Sequence, residues 1–167
     1  MSPKPIQTDQ KLLEHVVGRA LSGEGAHVAS AEVFSGLDAQ GAGERPAGLP
    51  HSLFQLLKHI VFWQDWAVKW CNGEKPRVPK HASGSWPKGT APANDADWAD
   101  CVHQFQNGLK ELERRSRNGN LAAKNGKQSR LEMLHAIASH NSYHLGEAVV
   151  VRQILGRWPP PAGGLTW

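Results

Sequence analysis

The chain is short of the features that would place it in a specialised class. No apolar run approaches the ~20 residues a membrane-spanning helix needs; the longest stretches are short ones such as Ala148 to Val151. Two cysteines, Cys71 and Cys101, exclude a disulfide framework, and they lack the spacing of a redox or zinc pair. No segment alternates apolar and polar residues as a half-buried strand does, and no internal repeat is present. The polar opening Met1-Ser2-Pro3-Lys4-Pro5 has no apolar core of a secretory leader, so the expected setting is the cytoplasm, with reduced thiols. The charge is of one sign only by a small margin, +4 with a pI of 9.3. Its densest basic runs, Arg114-Arg115-Ser116-Arg117 and Lys124 to Arg130, fall at an expected helix end and in an expected loop. Basic residues in a last helical turn complement the helix dipole, and no reading motif accompanies them, so neither nucleic acid nor membrane is an expected partner.

What is present is a chain of 167 residues, 40% apolar and 20% charged, the size of one ordinary domain. Residues 1–8 read as a flexible tail. From Asp9 to Leu21, apolar Leu12, Leu13, Val16, Val17, Ala20 and Leu21 recur at helical spacing. A second helical stretch is expected from about His27 to Leu37, then a Gly/Pro-rich loop over Gly41 to Pro50. Ser52 and Gln55 form a capping box that opens a helix to about Cys71, ended by Asn72-Gly73. Residues 73–94 carry three glycines and four prolines and no periodicity, which suits a long crossover in a four-helix bundle. Asn94 or Asp95 caps a third main helix with the core stripe Trp98, Val102, Phe105, Leu109 and Leu112, ending near Asn118-Gly119. Residues 119–128 read as a polar loop. Ser129 and Glu132 make a second capping box, and the last helix runs to about Leu155 with Leu134, Ile137, Ala138, Leu145 and Val149 on its core face. The proline-rich stretch 157–167 cannot be helical. The expected fold is all-α: a single domain over 1–167, a four-helix bundle with a long crossover between its second and third main helices.

Nine histidines and seven tryptophans stand against one tyrosine. His140 and His144, four apart on the last helix, project from one face one turn apart. Two imidazoles at this spacing can hold one metal ion. The pair lies among apolar neighbours, and a buried ring without a partner is costly. His59 sits on the apolar face of the second main helix beside Leu56, Ile60 and Trp63, and bundle cores build metal sites from facing helices. The three together predict a site for one divalent ion, with at least one coordination position open for water or a thiol. The segment His140-Asn-Ser-Tyr-His144 lacks the glutamate that follows the first histidine in zinc proteases, which excludes that class. Glu147 shares the face of His140 and is a candidate fourth ligand, an acceptor behind a ligand, or a general base. His135 points elsewhere; His15, His51, His81 and His103 have no partner spacing, and His27 is ambiguous. Tyr143 and Arg152 read as packing or ion-pair residues, and Trp63, Trp66 and Trp70 as packing anchors.

The run His140-Asn-Ser-Tyr-His144-Leu-Gly-Glu147, continued by Ala-Val-Val-Val-Arg152-Gln-Ile-Leu-Gly156, resembles the DinB superfamily, which includes DinB-like and YfiT-like bacterial proteins. Gly25-Ala26-His27-Val28, Leu49-Pro50-His51-Ser52-Leu53, His59-Ile60, Ser85-Trp86-Pro87 and the closing Gly163-Gly164-Leu165-Thr166-Trp167 fit the same pattern. The resemblance implies a four-helix bundle with a long crossover and a three-histidine site for nickel, zinc or a similar ion, with ligands at His59, His140 and His144. It also implies a metal-dependent thiol enzyme, an S-transferase or isomerase that uses a low-molecular-weight thiol on a small-molecule substrate, and a homodimer. Members often carry Gln where this chain has Glu147; an acid there alters charge at the metal or takes part in proton transfer. Two other functions keep the same ligands: a metal-dependent hydrolase, and a non-catalytic metal-binding or stress-related interaction module.

Overall fold

The computed structural model describes residues 10–164; the expected tail over 1–8 and the closing Leu165-Thr166-Trp167 lie outside that range. Five helices follow one another: α1 (Gln10–Ser22), α2 (Ala39–Gly43), α3 (Leu53–Cys71), α4 (Asp95–Arg117) and α5 (Arg130–Ile154). The structure is all-α, as expected. Among the described residues, no helix is long and apolar enough to cross a membrane.

Local chemistry sets the ends of the long helices. Ser52 accepts from the Gln55 amide while the Gln55 side chain accepts from the Ser52 amide, and Ser129 and Glu132 repeat the arrangement at the start of α5. Each box satisfies two amides that would otherwise lack a helical partner. Asn94, rather than Asp95, caps α4, its side chain accepting from the Asp97 amide.

Three sequence expectations change. The helix anticipated over 27–37 is reduced to a single 3-10 turn, Ser30–Glu32. Gly36 turns the chain at φ 71°, and the carbonyls of Val33 and Ser35 accept from the buried Arg152 guanidinium instead of from helical amides. The loop expected over 41–50 begins inside α2, which Asp38 caps by accepting from Gly41. Residues 119–128 include one arm of a miniature hairpin, β1 (Lys124–Asn125) pairing antiparallel with β2 (Gln128–Ser129). Gly126 at φ 70° opens its two-residue turn, the place where a turn of this kind needs glycine.

α3 packs against α4 and α5, and α1 packs against the same two helices from the other side. α4 and α5 meet only sparsely, so they lie diagonally, as do α1 and α3. α1 therefore offers a narrow stripe: Leu13, Val17 and Leu21 face inward, while Leu12 and Val16 are exposed. The interior is two apolar clusters. One gathers Phe34, Leu53, Leu57, Ile60, Trp98, Phe105 and Leu145. The other gathers Val17, Leu21, Ala67, Trp70, Leu112, Leu134 and Ile137. α3 passes from the first to the second between Ile60 and Ala67, and α5 passes back between Ala138 and Leu145. The α5 crossing carries His140 and His144, and His59 stands one residue before the α3 crossing.

The long connection 72–94 lies over the N-terminal half of α3. The Ser52 hydroxyl donates to the Thr90 carbonyl, and Gly43 sits against Ala91. Its one ordered turn, Ala82–Ser85, ends beside His59.

Candidate metal centre

α3 and α5 bring His59, His140 and His144 together at the crossing between the two apolar clusters. Ring centroids are 4.6 to 5.1 Å apart, and one ligand atom from each lies within 4.8 Å of the others. His59 and His144 are buried and His140 half-buried. His59 Nε2 and His140 Nε2 are 3.2 Å apart. Two imidazole nitrogens held tetrahedrally at zinc–nitrogen distances stand about 3.3 Å from each other, so the spacing suits a shared first-row ion.

The outer ring atoms fix the orientation of two of these rings. His59 Nδ1 lies 3.2 Å from the Ser85 carbonyl, which can only accept. His59 therefore carries its hydrogen on Nδ1 and turns a bare Nε2 toward the cluster. His144 Nδ1 lies 2.6 Å from Glu147 Oε2, so the carboxylate accepts from Nδ1 and leaves Nε2 as the ring nitrogen open to a ligand. Glu147 thus sits behind His144, the acceptor alternative among its three, and outside the three-ligand group. Histidines that ligate metals are commonly held by such outer partners. His140 differs: its Nδ1 is buried and has no hydrogen-bond partner among the described residues.

Electrostatics point the same way. Burial pushes His59 down to about 4, despite the opposing pull of the Ser85 carbonyl. Burial, reinforced by the nearby His144, takes His140 down to about 4. Both rings are neutral near pH 7, the form in which imidazole binds a metal. Three imidazoles in this arrangement form a group that could hold a metal ion.

Other residues join the site without a signal in the spacing of the sequence. Trp86 lies flat on His59, with centroids 3.9 Å apart and planes 8° from parallel. On its other face it carries His51, at 3.7 Å and 12°. His51, read as a bystander, is therefore part of the wall. Its only sequence signal was the resemblance at Leu49-Pro50-His51-Ser52, and that of Trp86 was Ser85-Trp86-Pro87. His27 bridges the Val28 carbonyl and Ser142, which makes it a brace between the 23–38 segment and α5. His135 is exposed and turned away, as its spacing implied. Tyr143 is exposed. Arg152 is buried and gives its hydrogens to the carbonyls of Val33, Ser35 and Arg157, so it ties the tail and the 33–35 turn to α5.

Two clefts flank the histidines along the α3–α5 seam. One, of about 230 Å³, is lined by Leu49, Pro50, His51, Leu56, Glu147 and Val150 among others. The second, of about 300 Å³, is lined by Trp63, Trp66, Ala67, Met133, Ile137 and His140 among others. No residue of the basic run Lys124 to Arg130 lines either cleft. Arg130 donates to the Cys71 carbonyl at the far end of α3, twelve residues or about 18 Å from His59 at helical rise.

A helical bundle with three converging imidazoles on two facing helices defines a class of metal-binding bundle. A family model described as the DinB superfamily matches residues 24–148, and the chain belongs to that superfamily. The match takes in His59, His140, His144 and Glu147, and stops short of Arg152 and the tail. No curated protein matches the chain.

Proposed function

We propose that this protein is a metal-dependent enzyme that activates a small thiol for transfer to an electrophilic small molecule. His59, His140 and His144 hold one divalent ion, nickel or zinc. The observation that carries the reading is the convergence of three imidazoles, two of them oriented from behind by Ser85 and Glu147, between two clefts. A closed structural site has no need of such access, so the clefts favour catalysis over a purely structural or interaction module. The family resemblance extends the proposal to a homodimer, and the free, buried Cys71 and Cys101 suit a reducing setting.

A divalent ion at this position supplies charge that acidifies a thiol brought to it. The protein's own groups do the rest. Ser85 and Glu147 keep His59 and His144 in the tautomer that turns Nε2 inward. Trp86 covers the His59 ring and keeps water off that side. Glu147, with 40% of its side chain exposed, takes the thiol's proton through solvent while it continues to accept from His144 Nδ1. The placement of Glu147 on the cleft wall supports one further reading with the same ligands, hydrolysis by an activated water.

The test is a thiol-transfer assay on metal-loaded protein, with a panel of low-molecular-weight thiols and neutral electrophiles. The account expects turnover that disappears in His144→Ala. Ester or amide hydrolysis without any thiol requirement would instead establish the hydrolase. If neither reaction depends on His144, the catalytic reading fails.

A further inference from the structure

The two clefts beside the histidines differ in chemistry. The one toward Glu147 carries a carboxylate and the His51 ring. The one toward His140 has no charged side chain in its wall. Trp63 and Trp66, edge to face at 5.9 Å, form one side, one and two turns beyond His59 on α3. Met133, Ala136 and Ile137 form the other, on the two turns of α5 that precede His140. The buried nitrogens there, Trp66 Nε1 and His140 Nδ1, are covered and leave carbon as the contact surface. The cleft ends on the His140 ring itself, which stands 6.2 Å from Trp63.

We infer that this second cleft is the substrate subsite and that it takes an uncharged, flat apolar group, one or two fused rings or an equivalent alkyl group. The inference rests on the metal-centre reading, because what makes the cleft a substrate subsite is that a ligand in it lies against His140. A volume near 300 Å³ is at the small end of ligand pockets. Indole faces and a thioether make favourable contact with an aromatic ring. A charged group held between Trp63, Trp66, Met133 and Ile137 would lose its hydration with no ion or hydrogen bond from those side chains in return. The specificity is therefore for neutral apolar substrates, with acidic and basic ones rejected.

The experiment uses two probes of nearly equal shape, neutral 2-acetylnaphthalene and anionic 2-naphthoate, titrated against cobalt-loaded protein and followed by tryptophan fluorescence. The expected result is binding of the ketone at least tenfold tighter than the carboxylate. Ala136 is exposed on the cleft wall, so Ala136→Phe should fill the cleft without disturbing the core. It is expected to weaken ketone binding at least fivefold with melting temperature and cobalt content unchanged; Trp66→Leu is a second variant, expected to weaken ketone binding as much with cobalt content unchanged. The ketone is also expected to perturb the visible absorption of cobalt, because it rests on His140. Equal affinity for the two probes overturns the inference, as does unchanged binding in both variants or a cobalt spectrum that ignores the ketone. Cobalt content is scored separately: a protein that binds cobalt and not the ketone loses this inference and keeps the metal centre, while one that binds no cobalt loses both.

Discussion

The pair α1 and α4 and the pair α3 and α5 are built by the same packing rules and spend their buried surface differently. α1 and α4 divide cleanly into an apolar stripe and a charged face. Along α4, Glu111 pairs with Arg114 and Arg115, and Glu113 with Arg117. The Arg114 hydrogen bonds hold the Glu111 carboxyl down to about 2. One polar side chain of these two helices is buried, Ser116. α3 and α5 bury six: Gln55, His59 and Gln64 on one, Asn141, His144 and Arg152 on the other. Gln55 belongs to the α3 cap and Arg152 gathers loop carbonyls. His59 and His144 are at the candidate centre, and Gln64 and Asn141 each follow a residue that lines it or its cleft. Gly108 of α4 is the accommodation on the scaffold side, since a Cβ there would fall on the Gln64 amide. A bundle core gains stability from apolar contact, and the polar groups buried along α3 and α5 set these two helices apart from α1 and α4.

That contrast can be broken from either side. The largest effect belongs to the scaffold. Phe105, fully buried and edge-on to Phe34, is expected on truncation to alanine to cost about 3–5 kcal/mol, read by chemical denaturation, with metal content per folded chain unchanged. A metal-free Phe105→Ala protein that is otherwise folded would show that the two helix pairs are not separable in this way.

Acid is expected to act on the other pair. The unfolded chain protonates His59 and His140 as the pH falls through 6.5, whereas the folded chain does so only near 4. The folded state therefore binds fewer protons across that window, and stability declines as the pH drops from 6.5 to 4. Thermal melts of metal-free protein should show the decline, and His140→Leu should flatten it. An equal slope in the variant would mean that the histidines are not what titrates.

The smallest effect concerns a single hydrogen bond. Glu147→Gln keeps an acceptor for His144 Nδ1 and removes the charge. It should weaken metal affinity by about tenfold, the low end for loss of an outer partner. Competition with a chelator measures it, and an unchanged affinity would assign Glu147 no part in the centre.

Much of this was legible in the sequence, for identifiable reasons. The long helices were readable because periodicity and capping are local: Ser52 with Gln55 and Ser129 with Glu132 each signal a helix start within four residues. The histidines were readable because His140 and His144 share one helical face and His59 falls in an apolar stripe. Trp63 and Trp66 were read as packing residues, since nothing in a helical stripe distinguishes a wall of the core from a wall of a cleft. Ser85, Trp86 and His51 were missed as site residues because they come from segments without periodicity, placed only by tertiary contact with α3. The expected helix over 27–37 failed for the same reason. Arg152, 117 residues away from Ser35, takes the carbonyls that a helix would have used, and no local pattern announces it.

The account stands or falls on whether the three imidazoles hold an ion. Elemental analysis of tag-free protein beside His59→Ala and His144→Ala tests this most directly. The account predicts near one equivalent of nickel, zinc or a similar metal in the unaltered chain and a loss of most of it in both variants, with helical content retained. No metal in any of the three, together with no uptake and no rise in melting temperature when nickel or zinc is added, would contradict it.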